Sequence, residues 1–502
     1  MITNDASIVA FKHKVIEEIC RLAWDNALTE ENKEALIRRL IPGPKPNYRC
    51  CIYREREIVR YRVRLSCGQD VDPNRVATNP QVQVIEPACA ECPIAAYSVT
   101  DNCRLCMGKA CLKACRFGAI ERGEHRMHID PVKCKECGLC AQSCPFGAIV
   151  HLTRPCKSAC PVGAVTYDEN GLCVIDDSKC IQCGQCIHSC PYAAIDSKCY
   201  LVDVIRHIQA GDEVIAMCAP ATEGQFGAGI GMASVRKALK TVGFADMVEV
   251  GLGGDMTAAY EAEEWSEALR EGHKMTTSCC PAFINMLKKH FPKLYEENMS
   301  STVSPMCAVS RYLKATRPGC ITVFIGPCIA KKAEAADKSV ENNADYVLTY
   351  GEFGSLIASR DVKLEPVDEA YQEASGWGKR FATSGGVAGA VLEVMKERGE
   401  DISGVKLLQC AGGEACKKAL TLLKAGRLPE DFIEGMACVG GCVGGPSKHQ
   451  TEMEIKRARE GLLSQADGRR VLDNLANYPM ESFSMHRNGE PTGRPKPAAQ
   501  AE

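Results

Sequence analysis

The chain has 502 residues, room for roughly three or four domains with buried cores, which excludes a single small domain. Its 61 Lys and Arg balance 63 Asp and Glu, and no long basic run would track a phosphate backbone, so nucleic acid is excluded as a partner. Residues 1–20 hold no apolar core of signal-peptide type, and no later stretch approaches the roughly eighteen apolar residues of a membrane span, so a cytoplasmic protein without membrane contact is expected.

Residues 1–85 form a region whose fold the sequence leaves open. A helical segment ends near "LIRRLIPGPKPN" (36–47), and the alternating "EIVRYRVRLS" (57–66) is expected to be a strand. Cys20, Cys50, Cys51 and Cys67 follow no ligand spacing, and no plant-type [2Fe-2S] pattern occurs.

Residues 86–205 are dominated by cysteine. Thirty-two cysteines in a reducing compartment are at odds with disulfides, and their spacing points to metal. "CKECGLCAQSCP" places Cys134, Cys137, Cys140 and Cys144, and "CIQCGQCIHSCP" places Cys180, Cys183, Cys186 and Cys190, both with bacterial ferredoxin spacing. In such motifs three thiolates wrap one [4Fe-4S] cube, while the cysteine before proline serves the neighbouring cube, so motifs come in pairs. The partner halves are modified. "CRLCMGKACLKACRFGAI" supplies Cys103, Cys106, Cys111 and Cys115 with a two-residue insertion, and "CKSACPVGAV" supplies only Cys156 and Cys160.

The unclaimed "CAEC", Cys89 and Cys92, completes the second pair if the segment before the first unit folds back over the second. Exchange of the fourth ligand then gives four sets: Cys103, Cys106, Cys111 and Cys144; Cys134, Cys137, Cys140 and Cys115; Cys180, Cys183, Cys186 and Cys160; Cys89, Cys92, Cys156 and Cys190. Cys173 is left over. Structural zinc also uses CxxC pairs, but it does not generate the repeated Cys-Pro half-motif with its trailing "FGAI", "VGAV" or "YAAI". Two tandem α+β ferredoxin-like units with four accessory clusters are expected, working in electron transfer.

Residues 206–450 change character. Apolar runs such as "EVIAMCAP", "ITVFIGPC", "YVLTYGEF" and "VKLLQCAG" alternate with helical stretches such as "GMASVRKALKTVGF" and "GVAGAVLEVMKERG". This pattern predicts an α/β domain of buried parallel strands, arranged as two sheet lobes facing across a cleft. Three cysteine loops follow or flank strand-like runs, the expected place for a site in open parallel sheets: "TSCCPAF" (277–283), "GPCIAKKAE" (326–334) and "EGMACVGGCVGGP" (434–446). The neighbours Cys279 and Cys280 leave the backbone in different directions, so one is expected to be a ligand and the other something else.

With these loops in this order the chain resembles the [FeFe]-hydrogenases, whose signature loops have the forms TSCCP, PCxxKxxE and ExMxCxxGC, over about residues 89–450. The resemblance implies that Cys280, Cys328, Cys438 and Cys442 hold the [4Fe-4S] part of an H-cluster. Cys442 would also bridge to a two-iron unit carrying CO, cyanide and an azadithiolate. Cys279 is then the proton donor, Lys331 meets a cyanide ligand, and Met436 packs near the bridging ligand, whereas Lys332 is expected at the surface. "DMTAAYEAEEW" (255–265) matches the family's relay stretch at Glu261 and Glu264, and Ser300 in "NMSSTVSPMC" matches the hydroxyl between them, with Ser301 competing for that role.

The chain also departs from common family members. Gly326 stands in place of methionine, Met306 in place of glutamine, and "CVGGPSKH" lacks the usual Asn-Gly-Gly-Gly tail. Together with Cys218 and Cys307, expected to line or border the pocket, these departures suggest a divergent, group B-like branch. The reaction implied is reversible formation of H2 from protons and electrons, with ferredoxin or a similar small carrier as partner and maturation proteins supplying the cluster. A non-catalytic relative of the Narf-like cluster-assembly type is the alternative, distinguished by Cys279 and Lys331. A redox or H2 sensor is weaker, since no PAS-like or kinase-like region occurs. Residues 451–502 are expected to form a helix followed by a mobile, non-catalytic tail from "NYPMESFSMHR" onward.

Overall fold

The computed structural model describes residues 6–71, 81–90, 92, 96–368 and 371–487. Three helices open the chain: α1 (Ala6–Trp24), α2 (Glu30–Leu40) and α3 (Ile52–Ser66). Helix α3 replaces the strand expected over 57–66. The alternation of Val59, Tyr61, Val63 and Leu65 suggested period two, but the buried positions include Glu55, Ile58, Val59, Arg62, Val63 and Ser66, the period of a helix face. The intervening Arg and Glu residues are good helix formers and pair along it, as Arg60 does with Glu57 and, across to α2, with Glu34. Val15, Ile19, Leu36, Ile37 and Val63 share one core with Val214, Ala216 and Phe353, so these helices pack directly on the part of the chain after residue 206.

Eight three-residue strands follow: β1 (Val82–Val84), β2 (Tyr97–Val99), β3 (Ile120–Arg122), β4 (Met127–Ile129), β5 (Ile149–His151), β6 (Val165–Tyr167), β7 (Cys173–Ile175) and β8 (Ile195–Ser197). Their pairing is nested. Strand β2 pairs with β5 around the β3–β4 hairpin, and β1 pairs with β8 around the β6–β7 hairpin, all antiparallel. The second ferredoxin-like unit is therefore split in sequence, with the first unit inserted between its Cys92 and its Cys156. The segment before the first unit thus lies against the second.

The remaining strands are parallel, as expected. β9 (Val214–Cys218), β10 (Asp246–Glu249), β12 (Ile321–Gly326) and β13 (Tyr346–Thr349) form a four-stranded sheet in the order β10-β9-β12-β13. β11 (Met275–Thr276), β14 (Leu407–Ala411) and β15 (Phe432–Met436) form a three-stranded sheet in the order β11-β15-β14. Every residue of β9 and β15 is buried, which accounts for their uninterrupted apolar character. The helices Gly251–Glu271 and Pro305–Thr316 pack closely enough that a Cβ on Gly253 would stand 2.2 Å from the Pro305 carbonyl oxygen, so only glycine fits there.

The stretch 477–487 is not a tail. Phe483 and Met485 are buried, the Val303 N–H donates to the Met485 carbonyl at 2.8 Å, and His486 bridges to Thr302. Two alternating apolar residues were too short a signal to read as an edge segment. Residues 488–502 of the expected tail lie outside the described residues. Among the described residues no helix is long and apolar enough to cross a membrane.

Candidate active site and cluster sites

The cysteine loops are built on a backbone that few sequences tolerate. In "CxxC" the residue before the second cysteine takes positive φ in all three complete motifs: Leu105 (46°), Glu136 (55°) and Gln182 (58°). Non-glycine residues seldom adopt this conformation, and its repetition marks loops wrapped around a common object. In each trailing half-motif the third residue after the cysteine is again left-handed: Gly118, Gly147, Gly163 and Ala193. That turn aims the next amide back at sulfur. Ala119, Ala148, Ala164 and Ala194 donate their N–H to Cys115, Cys144, Cys160 and Cys190 at 3.2–3.4 Å. The "GA" and "AA" pairs of the sequence thus have one physical cause.

Cys103, Cys106, Cys111 and Cys144 line one cavity. Burial raises the pKa of Cys140, which feels Cys134 and Cys137, while Cys115 packs against the same small core. Burial likewise raises Cys180 and pushes Cys183 up to about 12, with the remaining field on both coming partly from Cys160. Cys89 and Cys92 are raised first by burial and then by Cys156 and Cys190, which places the "CAEC" pair at the second unit. Soft thiolate sets of this kind suit iron–sulfur clusters.

The three loops meet at one almost wholly apolar cavity. Cys280 is the N-cap of the helix Pro281–His290 after β11, Cys328 follows β12, and Cys438 and Cys442 follow β15; all four line the cavity, with Cys279, Met306, Lys331 and Met436. Burial pushes the Cys328 and Cys442 thiols up to about 12 and Cys438 well above the ordinary range, each with a further contribution from the others. Thiols placed like those of Cys328, Cys438 and Cys442 ionise only against a strong positive charge, which a metal cluster supplies. The donor set fits the [4Fe-4S] part of an H-cluster.

Burial works against the Lys331 ammonium, yet Glu334 at 2.7 Å and the nearby Cys328 and Cys442 hold its pKa above the usual value, and Ser304 accepts a hydrogen bond at 2.8 Å. Lys332, expected at the surface, is fully buried. Its ammonium meets Glu352 at 2.5 Å, Ser197 at 3.3 Å and the Lys198 carbonyl, because the short helix Ala330–Ala335 is clamped between the ferredoxin-like part and the four-stranded sheet.

Cys279 lines the cavity beside Cys280, and its thiol is raised first by burial and then by the Glu261 carboxylate. Glu261, wholly buried, accepts from the Ser278 N–H (2.8 Å) and hydroxyl (2.9 Å), and burial pushes its pKa up to about 7. Ser300 is buried facing the Glu261 carboxyl. Ser301 instead binds Glu264 through both its N–H (3.1 and 3.2 Å) and its hydroxyl, and that hydroxyl lies 2.8 Å from His486 Nδ1. The two candidate serines therefore sit at different points of one line from the cavity to the surface. His486 escaped sequence reasoning because it lies in a stretch without periodicity.

Among the departures, Met306 lines the cavity, and a Cβ on Gly326 would stand 2.6 Å from the Phe324 ring, which occupies that space. Cys307 is buried within reach of the Lys331 charge. Cys218 does not border the pocket as expected: it faces the core shared with α1, because strand alternation turns it to the opposite side of the sheet.

Residues 212–446 match the family model described as "Iron only hydrogenase large subunit, C-terminal domain", residues 102–148 match "4Fe-4S dicluster domain", and residues 173–196 match "4Fe-4S binding domain". The chain is 28% identical over 406 residues to iron hydrogenase 1 of Clostridium pasteurianum, covering 69% of this chain and 70% of that one. It is 30% identical over 376 residues to the periplasmic [Fe] hydrogenase large subunit of Nitratidesulfovibrio vulgaris, covering 64% of this chain and 86% of that one. A cytosolic Fe-S cluster assembly factor of Kluyveromyces lactis is 24% identical over 252 residues, covering 36% and 54% respectively.

Proposed function

The chain belongs to the iron-only hydrogenase large-subunit family, and from that premise we propose that it catalyses the reversible combination of two protons and two electrons to H2. In this reading the two parallel sheets are two lobes facing across the site, and Cys280, Cys328, Cys438 and Cys442 hold an H-cluster between them. When bound, that group supplies the redox chemistry joining protons and electrons. The apolar lining keeps bulk water out, so protons reach the site only through side chains. Glu261, poised near neutrality, takes a proton at its carboxyl from the Ser300, Ser301, Glu264 and His486 side and passes it toward Cys279 Sγ. Lys331 anchors negative charge by a charge-assisted contact.

Electrons enter through the ferredoxin-like units, for which we infer four [4Fe-4S] clusters exchanging with ferredoxin or a similar carrier. Cys183 lines the same cavity as Cys280 and Cys438, which makes its set the last station before the active site. The reading further takes the protein as cytoplasmic and dependent on maturation proteins for its two-iron unit.

One observation carries the proposal: Cys279 and Lys331 face the four-cysteine cavity together, with a carboxylate relay behind Cys279. The similarity to a cluster assembly factor supports a second, non-catalytic reading. Infrared spectra of maturated protein, with H2 evolution assayed on the same sample, decide between them. CO and cyanide bands with turnover are expected, and a protein that loads iron but gives neither bands nor H2 would establish the second.

A further inference from the structure

Of the seventeen cysteines from Cys89 to Cys190, Cys173 alone is left over by the four ligand sets. It is not a stray core residue. It opens β7, is buried, and shares a core with Cys89, Cys156, Cys180 and Cys190. Its backbone N–H donates to Cys89 Sγ at 3.3 Å, and its side chain shares this core with Cys156. Five thiols thus meet where a cube takes four.

The hairpin explains how. Tyr167 and Cys173 are directly opposite each other in the β6–β7 ladder, so their side chains leave the same face. That face turns toward Cys156, the Tyr167 hydroxyl lying 3.8 Å from its Sγ. Cys111, Cys140 and Cys156, at the same place in their own motifs, each receive the backbone donor of the next residue, and Cys156 has the Tyr167 hydroxyl beside it as well. Sulfurs bound to different corners of a cube are held apart by the cube's own edges, so a side chain hydrogen-bonded to one ligand sulfur does not occupy the next corner. Hydrogen bonds to ligand sulfur favour the more negative, reduced state of a cluster and raise its potential.

We propose that Cys173 is a non-ligand thiol that donates to Cys156 and raises the potential of the cluster held by Cys89, Cys92, Cys156 and Cys190. It is a positioning and tuning residue, and the inference rests on the reading that these four residues hold a cluster. The site lies beside Cys186 of the neighbouring set, where a potential difference sets the direction of electron flow between the two clusters.

The full chain, reconstituted with iron and sulfide, tests this without hydrogen turnover. Cys89→Ala identifies which reduced-cluster signal in electron paramagnetic resonance belongs to this site, and redox titration then gives its midpoint. Cys173→Ala should keep the iron content and move that midpoint to lower potential, while Cys173→Ser, which keeps a hydroxyl donor, should restore most of the shift. Tyr167→Phe, which keeps the ring, should move the midpoint in the same direction if the alanine variant fails to assemble. Loss of about four irons in Cys173→Ala would make it a ligand, and an unmoved midpoint would leave it without a tuning role; either overturns the proposal. If Cys89→Ala removes neither iron nor signal, the cluster itself is absent, a different result that overturns the premise and the inference together.

Discussion

The adjacent residues Cys279 and Cys280 differ in what their neighbours allow. Cys280 begins a helix and looks toward Cys328, Cys438 and Cys442, whereas Cys279 stands in the field of Glu261. Cys279→Ala should keep all irons and the infrared bands while H2 turnover falls by orders of magnitude, and Cys280→Ala should lose iron; iron analysis with an activity assay on both variants checks this. Glu261 carries a second expectation. A carboxyl whose pKa folding raises from 4.5 to about 7 stabilises the folded state fully below pH 4.5 and loses that contribution as pH climbs through 7. Glu261→Gln, which can still accept from Ser278, should therefore be the more stable protein at pH 8, by on the order of 3 kcal/mol as an upper bound, and yet the slower one. Unfolding midpoints at pH 5 and pH 8 measure the first effect, with no gain at pH 8 counting against the buried carboxylate.

Elements owe their positions here to single residues at crossings. The helix Gly251–Glu271 carries both Glu261 and Glu264 and touches Pro305 through Gly253. Gly253→Ala should force these helices apart at a cost of roughly 1–3 kcal/mol, readable as a lower unfolding midpoint, and should slow turnover by moving Glu261 relative to Cys279. The same close approach explains why this helix has a weakly amphipathic sequence: it is buried along most of its first four turns. Helix α3 teaches the complementary lesson. Its alternating Val and Arg fit a strand as well as a helix, and the choice fell to α1 and α2, which offer a helical groove rather than a sheet edge.

At the scale of the molecule, the ferredoxin-like and parallel-sheet parts are joined by buried charge as well as apolar packing. Lys332 ties Ser197 and the Lys198 carbonyl to Glu352. Lys332→Met would leave Glu352 buried without its cation and should cost roughly 3–5 kcal/mol. Adding Glu352→Gln, which keeps the helix cap at Thr349, should recover part of that loss in the same unfolding experiment. The nested ferredoxin pair makes a further expectation. Protein reconstituted before addition of the two-iron unit should hold about twenty irons, and the Cys89→Ser/Cys92→Ser variant about sixteen; a variant with unchanged iron would refute the split unit.

The sequence by itself determined the cysteine loops and the parallel α/β character, because each is a local matter. Thiolates that wrap one cube must sit within a few residues of one another, and buried parallel strands read as short apolar runs whatever surrounds them. Only the tertiary structure decided what depends on segments far apart in the chain. The insertion of one ferredoxin-like unit into the other, the burial of Lys332 and the helical state of 57–66 are of that kind. So are the separate partners of Ser300 and Ser301, the place of His486 beside Glu264, and the meeting of Cys173 with Cys156. In each case the deciding contact comes from a segment that local pattern cannot see, and the same side chain would be exposed or idle without it.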